Sequence, residues 1–98
     1  MIVEIARLKA KPGAGESLRG GLRAARAVIA QAAGYRGSVF HRGIEEPDSF
    51  LLRIEWETLE AHTAGFRQSR LFPEWRSHFA DFLDGAPDVR HYEVFAEE

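Results

Sequence analysis

The side chains best suited to chemistry are concentrated between positions 56 and 83, which hold both tryptophans, four of the seven phenylalanines and two of the four histidines. His62 is the first candidate. After Thr58, a typical N-cap, Leu59, His62 and Phe66 follow at helical positions i, i+3 and i+7 and should share a buried face. A neutral imidazole in an apolar pocket can accept a phenolic or enolic proton. His62 is therefore the predicted base, and a core histidine hydrogen-bonded to the backbone or to a strand side chain is the alternative.

Aromatic side chains near His62 are the candidates for binding a planar ligand. Trp56 ends a strand that should face the helices, where its ring could stack on a substrate. Phe66 and Trp75 would complete the pocket wall, and His78 would lie at its rim three residues after Trp75. Each of these residues also fits a purely structural role in the core, so both interpretations stay open.

A longer helix is predicted from Ser69, a possible N-cap, to Leu83. Pro73 falls near its first turn, where the missing N–H costs nothing. Gly85 and Pro87 end the helix. Its apolar residues recur at helical spacing and predict a buried stripe: Phe72, Trp75, Phe79, Phe82 and Leu83.

The composition excludes several classes of protein. Thirteen Lys and Arg against fifteen Asp and Glu give a net charge of -2, which favours neither a nucleic-acid partner nor a membrane surface. No cysteine is present, and the four histidines lack metal-binding spacing, so neither a disulfide nor a metal site is predicted. No apolar run approaches the roughly 20 residues that span a bilayer. Residues 2 to 10 resemble a strand more than a signal peptide, which favours a cytoplasmic protein.

The remaining elements are predicted from hydrophobic periodicity. Strands are expected at residues 2 to 10, 35 to 43, 50 to 57 and 88 to 95. A helix over residues 16 to 33, closed by Gly34, would bury one side: Leu18, Leu22, Ala25, Ile29 and Ala32. Gly20 and Gly21 weaken that helix by about 1 kcal/mol each, unless they permit close backbone packing.

The resulting order, β-α-β-β-α-β with the second helix in two pieces, predicts an α+β fold of the ferredoxin-like type in one domain over residues 1 to 98. Both helices should cover one face of a four-stranded antiparallel sheet and leave the other bare. Either set of strand side chains contains large apolar groups: Phe40, Leu51, Tyr92 and Val94. A second copy could cover them, so we expect a homodimer that associates through its sheet faces.

Charged and titratable side chains on the strands give two further expectations. The strand arginines should pair with acidic residues across the sheet, chiefly Glu4, Glu55 or Glu93. Those arginines are Arg36, Arg42, Arg53 and Arg90. His41 and His91 are expected to face the dimer interface.

Several short motifs are distributed along the chain: a first strand that ends in KPG, a Pro-Asp turn, the pair Glu55-Trp56, and the sequence LEAH that ends at His62 and is followed by Phe66. Together they resemble the antibiotic biosynthesis monooxygenase domain, a member of the dimeric α/β barrel superfamily. The resemblance implies a homodimer whose two sheets form a barrel, with a small apolar pocket between each sheet and its helices. The chemistry it implies varies: oxidation of phenols or quinols by dioxygen without metal or flavin, haem breakdown, or isomerisation of small phosphorylated compounds.

The asparagine on which the haem-degrading and polyketide-oxidising branches depend has no counterpart, because this chain contains no asparagine. The leading hypothesis is a homodimeric, cofactor-independent monooxygenase that acts on a small aromatic, phenolic or quinol compound, with His62 as base. The alternatives are a proton-transfer isomerase or lyase that uses the same histidine, and a non-catalytic, ligand-binding or stress-associated dimer.

Overall fold

A computed structural model describes residues 1–97 and confirms the predicted α+β fold. Its elements in chain order are β1 (Ile2–Lys9), α1 (Gly15–Ile29), β2 (Tyr35–Arg42), β3 (Ser49–Trp56), a π-helix (Ala61–Phe66), α2 (Leu71–Ser77), a 3₁₀ turn (Ala80–Phe82) and β4 (Asp88–Glu93). The four strands form one open antiparallel sheet in the order β2-β3-β1-β4. No helix within the described residues is long and apolar enough to cross a membrane.

The core lies between the sheet and the helices that cover one of its faces. The predicted inner side of α1 is confirmed, since Leu18, Leu22, Ala25 and Ile29 are all buried. The helix ends at Ile29, four residues earlier than the last predicted position. Three turn hydrogen bonds follow it, and Gly34, with φ +84°, leads the chain into β2.

Two adjacent glycines in α1 differ in what surrounds them. A Cβ atom on Gly21 would lie 2.2 Å from the carbonyl oxygen of His78, whereas one on Gly20 would meet nothing within 4 Å. Gly21 therefore permits the close backbone packing that the sequence suggested as an alternative, and Gly20 does not contribute to it.

The second helical region is more broken than predicted. It does not run continuously to Leu83, because α2 ends at Ser77 and Phe79 leaves the helical region with φ -142°. This break turns Phe79 into the core, where it is 1% exposed. Backbone hydrogen bonds then tie the following turn to the end of β1, from Lys11 N–H to the Phe82 carbonyl and from Asp84 N–H to the Lys9 carbonyl.

The face of the sheet that the helices leave uncovered carries Val39, Leu51 and Tyr92, as the strand register shows. Val39 and Tyr92 are about half exposed. Phe40 was expected as a candidate for this face, but it pairs with Leu52 and therefore points to the helices.

The expected pairing of the strand arginines is wrong in most cases. Glu4 lies buried on the helix side of β1 and forms no salt bridge with an arginine among residues 1–97. Arg53 does bond Glu55, within the same strand. The other ion pairs join Arg36 to Glu57, Arg42 to Glu16 and Arg90 to Asp88.

Candidate active site

Trp56 forms the floor of the candidate site at the end of β3. Its side chain is fully buried, and its indole Nε1 donates a hydrogen bond to Glu4 Oε1 at 3.0 Å. Strand alternation explains this contact, because Glu4 and Trp56 both point to the helix side from neighbouring strands. The indole ring stacks on the His62 imidazole, with centroids 5.2 Å apart and an interplanar angle of 17°.

The π-helix positions His62 over this floor. Thr58 accepts a hydrogen bond from the Ala61 N–H at 3.1 Å, and the Arg67 N–H bonds the His62 carbonyl five residues back at 3.0 Å. This wider turn buries His62 and Phe66 together and leaves Leu59 41% exposed, contrary to the predicted shared face. Single π-turns are rare and occur frequently at functional sites.

Both ring nitrogens of His62 have polar neighbours. Nδ1 lies 2.7 Å from Nε2 of His91, and Nε2 lies 3.3 Å from Glu4 Oε1. His91 was expected at the dimer interface, but its place opposite Glu4 in the register turns its ring to the helix side. Glu4, His62 and His91 therefore form a continuous polar row from the core to the edge strand β4, where His91 is half-buried.

A cavity of about 130 Å³ lies beside this row, between the sheet and the helices. Its polar wall is formed by Glu4 and His62, and Arg67 and Arg76 also border it. The Trp75 indole lines it as well, and its buried Nε1 has no hydrogen-bond partner among residues 1–97. The remaining lining residues are Ala6, Leu8, Phe72, Phe79, Pro87 and Val89.

The protonation of the row follows from its surroundings. Burial, together with the smaller effect of the Arg67 and His91 charges, lowers the pKa of His62 to about 4. Burial raises the pKa of Glu4, although the Trp56 hydrogen bond and the Arg67 charge oppose that rise. Burial and Arg67 also lower the pKa of His91. At neutral pH His62 is therefore a neutral imidazole and can accept a proton.

The structure separates the predicted site residues into three groups. His62 and Trp75 line the cavity. Trp56 and Phe66 do not line the cavity. The Phe66 ring instead packs between the two indoles, with its centroid 5.7 Å from that of Trp56 and 5.6 Å from that of Trp75. His78 lies away from the cavity, at the end of α2 against Gly21.

Three polar residues of the site were missed as site residues by sequence reasoning: Glu4, Arg67 and His91. Glu4 had a detectable signal, because it alternates with Ala6 and Leu8 in β1 and so had to share their buried face. His91 had none, since its contact with His62 depends on the pairing of β4 with β1. No group of three or more potential metal ligands is found within the part of the chain that the structure describes.

Comparisons with known proteins agree with this architecture. The family model for antibiotic biosynthesis monooxygenase matches residues 1–82. The uncharacterized protein YczJ of Bacillus subtilis (strain 168) is 36% identical over 93 residues, which are 95% of this chain and 98% of the relative. The crystal structure of a proposed antibiotic biosynthesis monooxygenase from Bordetella bronchiseptica superimposes with a TM-score of 0.92 at 35% identity and covers 97% of both chains.

A more distant structure has a more specific description. SnoaB from Streptomyces nogalater, a cofactor-independent oxygenase crystallised as an asparagine-to-alanine mutant, matches with a TM-score of 0.82. The match covers 98% of this chain and 94% of SnoaB, at 11% identity. At that identity the likeness shows a shared fold only.

Proposed function

Because this chain belongs to the antibiotic biosynthesis monooxygenase family, we propose that it is a homodimeric, cofactor-independent monooxygenase that acts on a single-ring phenol or quinol. The proposal depends chiefly on one observation: the buried, neutral imidazole of His62 borders a cavity that the Trp75 indole also lines, and the buried Nε1 of that indole has no hydrogen-bond partner among residues 1–97. An acidic hydroxyl could meet the imidazole there, and a substrate oxygen could accept the indole hydrogen.

The size of the cavity limits the substrate. A cavity of roughly 150 Å³ with apolar walls holds one benzene molecule. The volume here is about 130 Å³, which suits one aromatic ring. The sequence hypothesis of a small aromatic, phenolic or quinol compound is thereby narrowed to a single ring.

The polar row supplies a path for the proton. In our proposal His62 Nε2 accepts the substrate hydroxyl proton, and the resulting imidazolium is stabilised by the Glu4 carboxylate 3.3 Å away. His62 Nδ1 then passes its proton to His91 Nε2, 2.7 Å away at the edge of the sheet, from which it reaches solvent. The tautomer this requires carries the proton on Nδ1 of His62 in the resting protein.

The anion that remains in the cavity would be stabilised by Arg67 and by the Trp75 N–H. Such an electron-rich anion is the reductant for dioxygen. One oxygen atom enters the substrate as a carbonyl and replaces two hydrogens, and the other leaves as water, so that the substrate supplies all the electrons. The cavity is partly enclosed and limits the access of bulk water to these charges.

A specific observation favours a second candidate function, ligand binding without turnover. Both ring nitrogens of His62 already have neighbours within 3.3 Å, so a substrate hydroxyl must compete with Glu4 for Nε2. If Glu4 keeps that position, the cavity would hold a ring and leave it unchanged.

Oxygen uptake separates the two functions. With hydroquinone, catechol and methyl-substituted quinols as substrates, the wild-type protein should consume dioxygen stoichiometrically with product, and His62→Ala and His62→Gln should lower kcat/KM by at least 100-fold. His78→Gln, which changes a histidine away from the cavity, is the matched control and should keep wild-type activity. Saturable binding of these compounds without oxygen uptake by the wild type would refute the monooxygenase and favour the binding protein.

The homodimer is part of the same proposal. The uncovered sheet face carries half-exposed Val39 and Tyr92 beside Leu51, and a second copy of that face is the simplest cover for it. Face-to-face association would produce the barrel that the family resemblance implies. The cavity beside His62 lies on the opposite side of each sheet, so each subunit would keep its own site.

A further inference from the structure

A second and larger cavity lies at the opposite edge of the sheet from His91. It is a groove of about 510 Å³ between α1 and the edge strand β2. Its apolar floor is formed by Leu22, Phe40 and Phe50, of which Leu22 and Phe50 are less than 5% exposed. None of the residues of the Glu4, His62 and His91 row lines this groove.

Four arginines surround this floor. Arg19, Arg23 and Arg26 come from α1 at positions i, i+4 and i+7, so they lie along one side of the helix. Arg42 comes from β2. The concentration is unusual in a chain whose formal net charge is -2.

The charge in the groove is compensated at one end only. Arg42 pairs with Glu16 and donates its Nε–H to the Pro47 carbonyl at 2.6 Å, and Arg19 lies 3.7 Å from the same Glu16. At the other end, no salt bridge joins Arg23 or Arg26 to a carboxylate among residues 1–97. Two guanidinium groups there are thus available to an external anion.

The two arginines without a salt bridge lie beside the apolar floor of the groove. The Arg26 guanidinium carbon lies 5.6 Å from the centroid of the Phe40 ring, within the range of a cation–π contact. Such a contact helps to keep the guanidinium beside the apolar floor. On an ordinary solvated helix face, arginine side chains are surrounded by water. Here they border buried Leu22 and a phenylalanine ring.

We propose that this groove binds an amphipathic organic anion, with its acidic group on Arg23 and Arg26 and its apolar body on Phe40 and Leu22. A guanidinium group bonds carboxylate, sulfonate and phosphate oxygens in bidentate fashion, so two of them select for an anion of this kind. The groove has roughly four times the volume of the cavity beside His62 and accommodates a two-ring or acyl compound. The inference does not depend on the proposed oxygenase activity.

Isothermal titration with 2-naphthalenesulfonate tests this site. The wild-type protein should bind one molecule per subunit, and the double variant Arg23→Gln/Arg26→Gln should bind at least tenfold more weakly. The matched control is Arg36→Gln/Arg90→Gln, which removes the same charge from two exposed arginines outside the groove. It should change the affinity less than twofold, and so should His62→Gln.

Three results would overturn the proposal. Equal losses in both double variants would show a response to net charge alone. An unchanged affinity in Arg23→Gln/Arg26→Gln would place the probe elsewhere. Inorganic sulfate binding as tightly as 2-naphthalenesulfonate would show that the apolar floor contributes nothing.

Discussion

At the scale of single residues, the site is defined by how little freedom His62 has. Its ring is stacked on Trp56, and its two nitrogens face His91 and Glu4 at 2.7 and 3.3 Å. With both nitrogens already facing polar neighbours, a substrate hydroxyl would have to displace Glu4 before it reached Nε2. The fixed ring also couples the charge of His62 to the stability of the fold.

The pKa of His62 falls from 6.5 to about 4 on folding, so between these values the unfolded chain binds a proton that the folded chain does not. His62 therefore destabilises the protein as the pH falls through this window. The lowered pKa of His91 also reduces the stability of the protein as the pH falls. The raised pKa of Glu4 has the opposite effect, because its contribution to stability is lost as the pH rises above 4.5.

We predict that His62→Gln reduces the loss of unfolding free energy between pH 7 and pH 4 by up to about 3 kcal/mol, because the variant has no imidazole to protonate. Urea denaturation at a series of pH values measures it. His78→Gln, which changes a histidine away from the cavity, is the control and should keep the wild-type pH dependence. Parallel pH curves for the wild type and His62→Gln would contradict the buried, neutral imidazole.

Sequence reasoning reached part of this site for physical reasons. Burial of His62, Phe66 and Trp75 followed from hydrophobic periodicity, which reports the side of a helix that faces the core. His62 and His91 are 29 positions apart in the sequence, and their contact depends on the pairing of β4 with β1, which local periodicity does not encode. The π-turn was missed for a related reason, since Leu59 fits the α-helical stripe equally well as a pattern.

At the scale of the elements, the packing of α1 against α2 depends on one missing side chain. Gly21 lies where a Cβ would overlap the His78 carbonyl, at the point where α2 ends and the chain turns toward Phe79. The fold therefore depends on Gly21 and tolerates substitution at Gly20. Sequence alone offered both possibilities for this pair and could not assign them, because the second helix had first to be placed in space.

The two glycines give a paired prediction. Gly20→Ala should stabilise the protein by about 1 kcal/mol, because it improves helix propensity in open space. Gly21→Ala should destabilise it by about 1 to 3 kcal/mol, because the overlap forces the helices apart. Chemical denaturation of both variants measures the difference, and equal effects would show that α1 and α2 do not pack this closely.

At the scale of the whole molecule, the two cavities lie in different halves of the fold. The cavity beside His62 is bordered by β1, β4 and α2, and the arginine-lined groove by α1, β2 and β3. The two sites can therefore be altered separately. The sheet face opposite the helices does not border the cavity beside His62; its Val39 and His41 also line the groove, and the rest of the face is left for association.

The proposed dimer can be tested on that face. Val39→Lys would bury an unpaired charge beside the Arg53 position of the neighbouring strand, so it should convert the dimer to a monomer. Ile44→Lys makes the same change at a turn residue that is 90% exposed and should leave the dimer intact. Size-exclusion chromatography with light scattering distinguishes these results, and a dimeric Val39→Lys would place the interface elsewhere.

The central claim is that a single aromatic ring binds beside His62 and Trp75. Its most direct test is an anaerobic NMR titration of the 15N-labelled protein with hydroquinone, in which the side-chain nitrogens of His62 and Trp75 are followed. We predict that His62 Nε2 and Trp75 Nε1 shift together and saturate, while His78 stays unchanged. If neither nitrogen moves at millimolar hydroquinone, the cavity does not bind the ring, and His62 is a residue of the core.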